Sequence, residues 1–142
     1  MVYPAYCQDI KIIMKTKKIK ILFIEDEMRM HKLFRDIFEQ EGMEFFTAYD
    51  GETGIKLAEE KMPDLVLLDL ILPKKNGFEV LEEIKANPRL AKIPVIVLTN
   101  LEGAQDIEKA LSLGAHTYLV KANYSIDEIL KKIKETVEQN EK

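Results

Sequence analysis

Three acidic residues, one threonine and one lysine follow four largely apolar runs in different parts of the chain. The acids are Glu25 and Asp26, which follow IKILFI, and Asp69, which follows LVLL. Thr99 follows VIVL, and Lys121 follows TYLV. Such runs are typical of buried parallel strands, and the carboxyl ends of those strands meet at one edge of the sheet. We therefore expect these five side chains to lie close together.

The expected cluster has the chemistry of a divalent-metal site. Carboxylates that crowd together repel one another, and a nearby cation favours their ionised form again. Oxygen ligands without histidine or cysteine beside them select Mg²⁺ or Mn²⁺ over zinc. We expect Asp26 and Asp69 to hold the metal, with Glu25 acting directly or through a water molecule. Because such a metal also holds phosphoryl oxygens, the set indicates phosphoryl transfer.

The other roles in that reaction follow from the side-chain types. Asp69 is the expected nucleophile, whose carboxylate attacks phosphorus and becomes an acyl phosphate. Lys121 would stabilise one phosphoryl oxygen by its charge, and the Thr99 hydroxyl would donate a hydrogen bond to another. Together these residues would form a site that carries a covalently bound phosphoryl group.

The strands that must position these residues are separated by helical patterns. The first helix is predicted to bury Met30, Leu33, Phe34, Ile37 and Phe38 and to end at Gly42. Asp50 is predicted to cap the second helix, and Ser125-Ile-Asp-Glu128 forms a capping box for the last. The five predicted strands are Ile19–Glu25, Glu44–Tyr49, Asp64–Asp69, Ile93–Leu98 and His116–Val120.

Five strand–helix pairs predict an α/β fold with a doubly wound, five-stranded parallel sheet. The expected strand order is 2-1-3-4-5, the flavodoxin-like arrangement, because a barrel would need eight pairs. Residues 19–142 are predicted to form this one domain. Residues 1–18 lack a clear period and contain a second methionine, Met14. We interpret them as an N-terminal extension, disordered or lying upstream of the true translation start.

The sequence around Asp69 resembles a known family. The run LLDLILPKKNG at 67–77 is similar to the DLxMPxxxG signature of response-regulator receiver domains, with Asp69 at the phosphorylated position. The resemblance covers Ile19 to about Val137 and is to the single-domain, chemotaxis-receiver type. Three further motifs match in the same order: the acidic pair Glu25-Asp26, the hydroxyl position Leu98-Thr99 and the aromatic-x-x-Lys element Tyr118-Leu-Val-Lys121.

The resemblance implies a two-component phosphorelay, in which a histidine kinase or histidine phosphotransfer protein phosphorylates Asp69. It implies a signalling phosphoacceptor, not an enzyme beyond its own Mg²⁺-dependent phosphorylation and slow dephosphorylation. The resemblance also implies that the backbone carbonyl of Ile71 is a further metal ligand. Phosphorylation would draw Thr99 toward the phosphoryl group while Tyr118 turns inward. The face made by the fourth helix, fifth strand and fifth helix would then change its affinity for an unknown downstream protein.

The sequence departs from the family pattern beside the predicted site. Ala122 stands where the family usually has a proline after a cis bond, and a cis bond before a non-proline residue costs about 3–4 kcal/mol. The bond is therefore expected to be trans, or else the loop is strained. Ile71 and Leu101 place apolar side chains beside the path of the hydrolytic water, so we expect slow self-dephosphorylation.

Composition and charge argue against several other classes of function. The formal net charge of −4 gives no basic surface for direct nucleic-acid binding. No apolar run approaches the roughly 18 residues of a membrane span, and the single Cys7 does not indicate an oxidising compartment. We expect a cytoplasmic protein. His31 is expected on a helix surface and His116 at a strand start, with no zinc site.

One alternative to a phosphoacceptor remains open at this stage, a phosphorylation-independent interaction module with the receiver fold. The sequence argues against two others. A phosphatase of the haloacid-dehalogenase type would need a second acid two residues after Asp69, where the sequence has Ile71. A flavin carrier would need a phosphate-binding loop after the first strand, where the acidic run Glu25–Glu27 would repel phosphate.

Overall fold

Side chains alternate between the two faces of a strand, and this alternation decides how the chain packs. The computed structural model describes residues 18–141, so residues 1–17 of the predicted extension lie outside the described residues. The five strands are parallel, in the order β2-β1-β3-β4-β5, which confirms the predicted doubly wound α/β fold. In chain order the elements are β1 (Lys20–Ile24), α1 (Met28–Gln40), β2 (Glu44–Ala48), α2 (Gly51–Lys61), β3 (Leu65–Leu68), α3 (Gly77–Ala86), β4 (Val95–Thr99), α4 (Ala104–Ser112), β5 (Thr117–Val120), a 3₁₀ turn (Lys121–Asn123) and α5 (Ile126–Glu141).

Each face of the sheet carries its own hydrophobic core. On β1, Ile21 and Phe23 join a cluster with residues of α1 and α5. Leu22 and Ile24 on the same strand join a second cluster, with residues of α2, α3 and α4. All four side chains are fully buried, so β1 is fixed from both sides. A strand held in this way gives the residue that follows it a defined position.

The register of the strands brings their carboxyl ends side by side. Ile24, the last residue of β1, pairs with Leu68, the last residue of β3. Thr99, the last residue of β4, pairs with Val120, the last residue of β5. The residues that follow β1, β3 and β5 therefore emerge at one edge of the sheet, as the sequence predicts.

Two helices begin at the caps that the sequence predicts. The Asp50 side chain accepts a hydrogen bond from the Thr53 amide nitrogen at 2.8 Å, which confirms the predicted cap of α2. Ser125 and Glu128 exchange side-chain-to-backbone hydrogen bonds of 3.0 and 3.2 Å, as a capping box requires. Asn76 caps α3 with a hydrogen bond of 3.0 Å, a cap that the sequence analysis did not predict.

Helix α1 departs from the predicted pattern at two positions. Leu33, predicted to point inward, is 47% exposed, whereas His31, expected on the surface, is 2% exposed. The buried residues of α1 are His31, Phe34 and Phe38, which lie three and four residues apart on one helical face. The prediction for His31 was wrong because it followed the polarity of the side chain instead of its place in the helical period.

Helix α5 is the longest helix among residues 18–141. α5 has 16 residues and buries Ile129, Ile133 and Val137 on one side. Its exposed side is rich in lysine and glutamate. None of the helices in the described part of the chain combines the length and apolar character needed to cross a lipid bilayer.

Lys74 adopts a backbone conformation that glycine adopts more easily, with φ of 66° in the loop between β3 and α3. We expect Lys74→Gly to raise the free energy of unfolding by about 0.5–1 kcal/mol, since relief of left-handed strain exceeds the added entropy of the unfolded chain. The side chain lost is exposed, and its ion pair with Asp50 at 3.7 Å contributes little. Urea denaturation measures the change.

Lys75→Gly is the matched control for this loop, because Lys75 does not have a positive φ. This variant gains no strain relief and loses the ion pair with Glu83. It should be less stable than the parent protein. Equal destabilisation by both glycine substitutions would contradict the assignment of strain to Lys74.

Candidate functional site

Three carboxylates meet at the carboxyl edge of the sheet. One oxygen each of Glu25, Asp26 and Asp69 lies within 4.8 Å of the others. Glu25 is 1% exposed and Asp69 is 4% exposed, whereas Asp26 lies at the surface. The acids sit here because Glu25 and Asp26 follow β1 directly and Asp69 follows β3, its paired neighbour. The expected acidic cluster is therefore present.

Lys121 contacts two of these carboxylates. Its Nζ atom forms a hydrogen-bonded ion pair with Oε1 of Glu25 and lies 3.2 Å from Oδ2 of Asp69. The lysine opens the 3₁₀ turn that follows β5, and the Lys121–Ala122 bond is trans, like every other peptide bond in the described chain. Replacement of the usual proline by Ala122 therefore goes with a trans bond that still directs the ammonium group into the cluster.

Burial and neighbouring charges shift the pKa values of both Glu25 and Lys121. Burial raises the pKa of Glu25 to about 7, and the charge of Asp69 acts in the same direction, against the hydrogen bond from Lys121. Burial acts to lower the pKa of Lys121, but the hydrogen bond to Glu25 and the charge of Asp69 outweigh it and raise this pKa. The ammonium group thus stays charged, while the carboxylates still carry an excess of negative charge.

The loop after β3 packs tightly around Asp69. The Ile71 amide donates to Oδ1 of Asp69 at 3.3 Å, and the Gly77 amide donates to the Leu70 carbonyl at 2.9 Å. A Cβ atom at position 77 would lie 2.3 Å from the Asp69 carbonyl oxygen, so only glycine allows this approach. The Ile71 side chain is 55% exposed beside the carboxylate. A role for the Ile71 carbonyl as a metal ligand stays a prediction.

Thr99 and Tyr118 are linked through one residue of the loop after β4. Thr99 is fully buried, and its Oγ1 accepts a hydrogen bond from the Leu101 amide at 3.4 Å. The Tyr118 hydroxyl donates to the Leu101 carbonyl at 2.7 Å. Both side chains named as switch residues from the sequence therefore bond to the same residue, one through its amide and one through its carbonyl.

His31 also reaches this region, although the sequence analysis gave it no role in the site. Its Nε2 atom is hydrogen bonded to the main-chain oxygen of Glu25. Burial lowers the pKa of His31 below its usual value, although the hydrogen bond to the Glu25 carbonyl opposes this shift. Its spacing of three and seven residues from Phe34 and Phe38 is the sequence signal that could have placed it inward.

Comparison with known proteins identifies the family. The response regulator receiver domain family matches residues 21–134. The chain belongs to this family. A solved CheY-like receiver domain protein from Methanospirillum hungatei JF-1 has a TM-score of 0.82 and 26% sequence identity, covering 88% of this chain and 98% of that one. The fold, the order of the motifs and the family match therefore agree.

The curated relatives are longer proteins. The receiver domain is 36% identical over 115 residues to the DNA-binding dual master transcriptional regulator RpaA of Synechocystis sp., covering 81% of this chain and 47% of RpaA. It is 39% identical over 106 residues to the transcriptional regulatory protein CiaR of Streptococcus pneumoniae, covering 75% of this chain and 46% of CiaR. The chain thus spans less than half the length of these relatives. Because RpaA is named as DNA-binding, the expectation of no direct nucleic-acid contact gains no support from them.

The donor atoms of the receiver site fit a hard divalent cation. All three groups that converge are carboxylates, which Mg²⁺ and Mn²⁺ prefer, and His31 directs its bonded nitrogen at a backbone oxygen instead. Lys121 bonds to Glu25 and Asp69 and offsets only part of the negative charge. A further positive charge is therefore what this set of residues accommodates.

Removal of the lysine charge should destabilise the fold. We expect Lys121→Met to lower the free energy of unfolding by about 3 kcal/mol in metal-free buffer, because the buried Glu25 carboxylate loses its partner. Adding Glu25→Gln to this variant should recover part of the loss, since Glu25 then carries no charge while Asp69 still lacks its ammonium partner. Urea denaturation gives both values.

Lys132→Met, at an exposed position on α5, is the control and should change stability by less than about 0.5 kcal/mol. A Lys121→Met protein as stable as this control would show that the ion pair is not structural.

Proposed function

We propose that the receiver domain accepts a phosphoryl group on Asp69 from a phosphohistidine of a histidine kinase or histidine phosphotransfer protein. The observation that carries this proposal is the position of Lys121 Nζ, 3.2 Å from Oδ2 of a buried Asp69 and in the same cluster as the acidic pair. A buried carboxylate beside a lysine and two further acids is an unusual and costly arrangement for structure alone. The family match supports the same assignment.

The reaction we propose is a direct displacement at phosphorus. An Asp69 carboxylate oxygen forms the new O–P bond while the P–N bond to the donor imidazole breaks. The imidazole nitrogen keeps the electron pair and takes up a proton, and Asp69 becomes an acyl phosphate. Lys121 stabilises the charge on one phosphoryl oxygen, and the Thr99 hydroxyl donates a hydrogen bond to another.

The acidic residues hold the required metal ion in this proposal. Asp26 and Asp69 are the proposed ligands of Mg²⁺ or Mn²⁺, with Glu25 direct or through a water molecule, and with the Ile71 carbonyl. The bound ion supplies positive charge that neutralises phosphoryl oxygens. Because Asp26 is exposed while Asp69 is buried, the pair offers ligands at the mouth and at the floor of the site.

Phosphorylation is proposed to alter the surface through Leu101. When the Thr99 hydroxyl turns toward the phosphoryl group, it no longer accepts the 3.4 Å hydrogen bond from the Leu101 amide. The loop after β4 is then free to move, and the Tyr118 hydroxyl can leave the Leu101 carbonyl and turn inward. The face of α4, β5 and α5 changes as a result, which we propose as the signal read by a downstream protein.

Phosphorylation from a small donor is the direct test of this proposal. Incubation with acetyl phosphate and Mg²⁺ should add one phosphoryl group to the parent protein, measured as intact mass. Asp69→Asn is the control and should gain none, because its amide is not a nucleophile. No addition to a folded, Mg²⁺-binding parent protein would contradict the phosphoacceptor role and favour a phosphorylation-independent interaction module.

The lifetime of the acyl phosphate should depend on Ile71. Its exposed apolar side chain neither orients nor attracts the hydrolytic water, so the parent protein should dephosphorylate slowly. Ile71→Asn introduces an amide that can hold the water, and the phosphorylated variant should lose phosphate faster. Decay of the phosphorylated mass after removal of the donor measures the rate, with Ile71→Leu as the apolar control. An unchanged rate for Ile71→Asn would argue against this explanation.

A further inference from the structure

His31 is a buried polar residue to which the proposed phosphoryl transfer gives no task. It lies in the first turns of α1 and is 2% exposed. Its ring packs between two aromatic rings, with centroid distances of 5.1 Å to Phe23 and 4.4 Å to Tyr49. The Nε2 atom is hydrogen bonded to the main-chain oxygen of Glu25, and the buried Nδ1 atom has no hydrogen-bond partner among the described residues. The bond to Glu25 is therefore the polar contact that orients the ring.

The Glu25 carbonyl belongs to the first residue after β1. The Ile24 carbonyl still accepts a hydrogen bond from the Asp69 amide at 3.0 Å, and the Glu25 amide donates to Ala48 at 3.0 Å. The β1 strand ends at Ile24, so the next carbonyl accepts from the His31 side chain instead. A carbonyl oxygen only accepts hydrogen bonds, so Nε2 must carry the proton and donate it. This holds whether or not the ring is charged.

This hydrogen bond acts on the acidic pair through the peptide plane. The carbonyl of Glu25 and the amide of Asp26 belong to one planar unit, so fixing the oxygen also fixes the direction in which the chain enters Asp26. The Glu25 side chain is held separately, because its Oε2 accepts from the Glu27 amide at 3.3 Å and its Oε1 bonds Lys121. Without the bond from His31, repulsion among the carboxylates would act on a peptide unit that is free to rotate.

We propose that His31 is a positioning residue that orients Glu25 and Asp26 for the divalent cation without contacting the cation itself. This inference rests on the proposed function, since it assigns His31 to the metal-binding step of that function. Residues that orient metal ligands through hydrogen bonds typically contribute about 10- to 100-fold to affinity. The expected effect of losing the bond is at the low end of this range, because Asp69 is held independently by β3.

The test compares Mn²⁺ binding to the full chain and its variants, followed by loss of the free-Mn²⁺ electron paramagnetic resonance signal. His31→Phe keeps the aromatic packing and removes the donor, so it should bind Mn²⁺ about tenfold more weakly. His31→Gln places an N–H donor the same number of bonds from the backbone and should restore affinity close to that of the parent protein. The side chain of His31→Asn keeps an N–H donor but is too short to reach the Glu25 carbonyl, so this variant should resemble His31→Phe.

A control separates positioning from general stability. Phe38→Leu alters a fully buried residue of the same helix that packs on Phe34 and Phe45, away from the acidic pair. It should lower stability and leave Mn²⁺ affinity unchanged.

Amide hydrogen exchange gives a metal-free readout. In His31→Phe the Asp26 and Glu27 amides should exchange faster than in the parent protein, and His31→Gln should protect them again.

Each outcome either supports the inference or overturns it. Weaker binding in His31→Phe with recovery in His31→Gln supports it. Equal affinity of the parent protein and His31→Phe overturns it and leaves the metal site intact. An equal loss of affinity in His31→Phe and Phe38→Leu also overturns it, because the effect would then be one of stability. A parent protein that binds no Mn²⁺ overturns the metal-binding step of the proposed function, and the positioning role fails with it.

Discussion

The crowding of three carboxylates at one edge of the sheet is the constraint on which the rest of the site depends. Oxygens of Glu25, Asp26 and Asp69 lie within 4.8 Å of one another, and two of these residues are almost fully buried. Two unit charges at this separation repel by about 3–4 kcal/mol at an effective dielectric constant of about 20. Repulsion of this size is a large fraction of the roughly 5–15 kcal/mol by which a folded domain is stable. The protein must therefore hold the acids in place and supply positive charge.

The fold meets the first requirement with packing and the second with Lys121. Both faces of β1 and β3 are buried, so the residues that follow these strands cannot separate without disturbing two hydrophobic cores. Gly77 lets the loop after β3 close against the Asp69 carbonyl. Lys121 joins Glu25 to Asp69 across the sheet edge, although a single ammonium leaves negative charge in excess. That excess of negative charge fits the binding of a hard divalent cation.

The sequence was sufficient to predict the architecture and the convergence of Lys121 and the three acids at one edge of the sheet. Apolar runs, helical spacing and caps such as Asp50 are local signals, and each strand lies within two residues of its predicted bounds. The pairing of Lys121 with Glu25 could not be predicted, because it joins side chains 96 positions apart and depends on the path of the 3₁₀ turn. The burial of His31 was missed, although its spacing from Phe34 and Phe38 indicates a place on the buried helical face. The left-handed backbone of Lys74 could not be predicted, because lysine has no preference for that conformation.

The central claim is that Asp69, and neither of its acidic neighbours, carries the phosphoryl group. The most direct measurement is borohydride reduction of the protein after treatment with acetyl phosphate and Mg²⁺, followed by peptide mass mapping. Borohydride reduces an acyl phosphate to an alcohol, so a phosphorylated aspartate becomes homoserine. The account predicts homoserine at position 69 and unmodified side chains at Glu25 and Asp26. Reduction at either of those neighbours, or at none of the three, would contradict it.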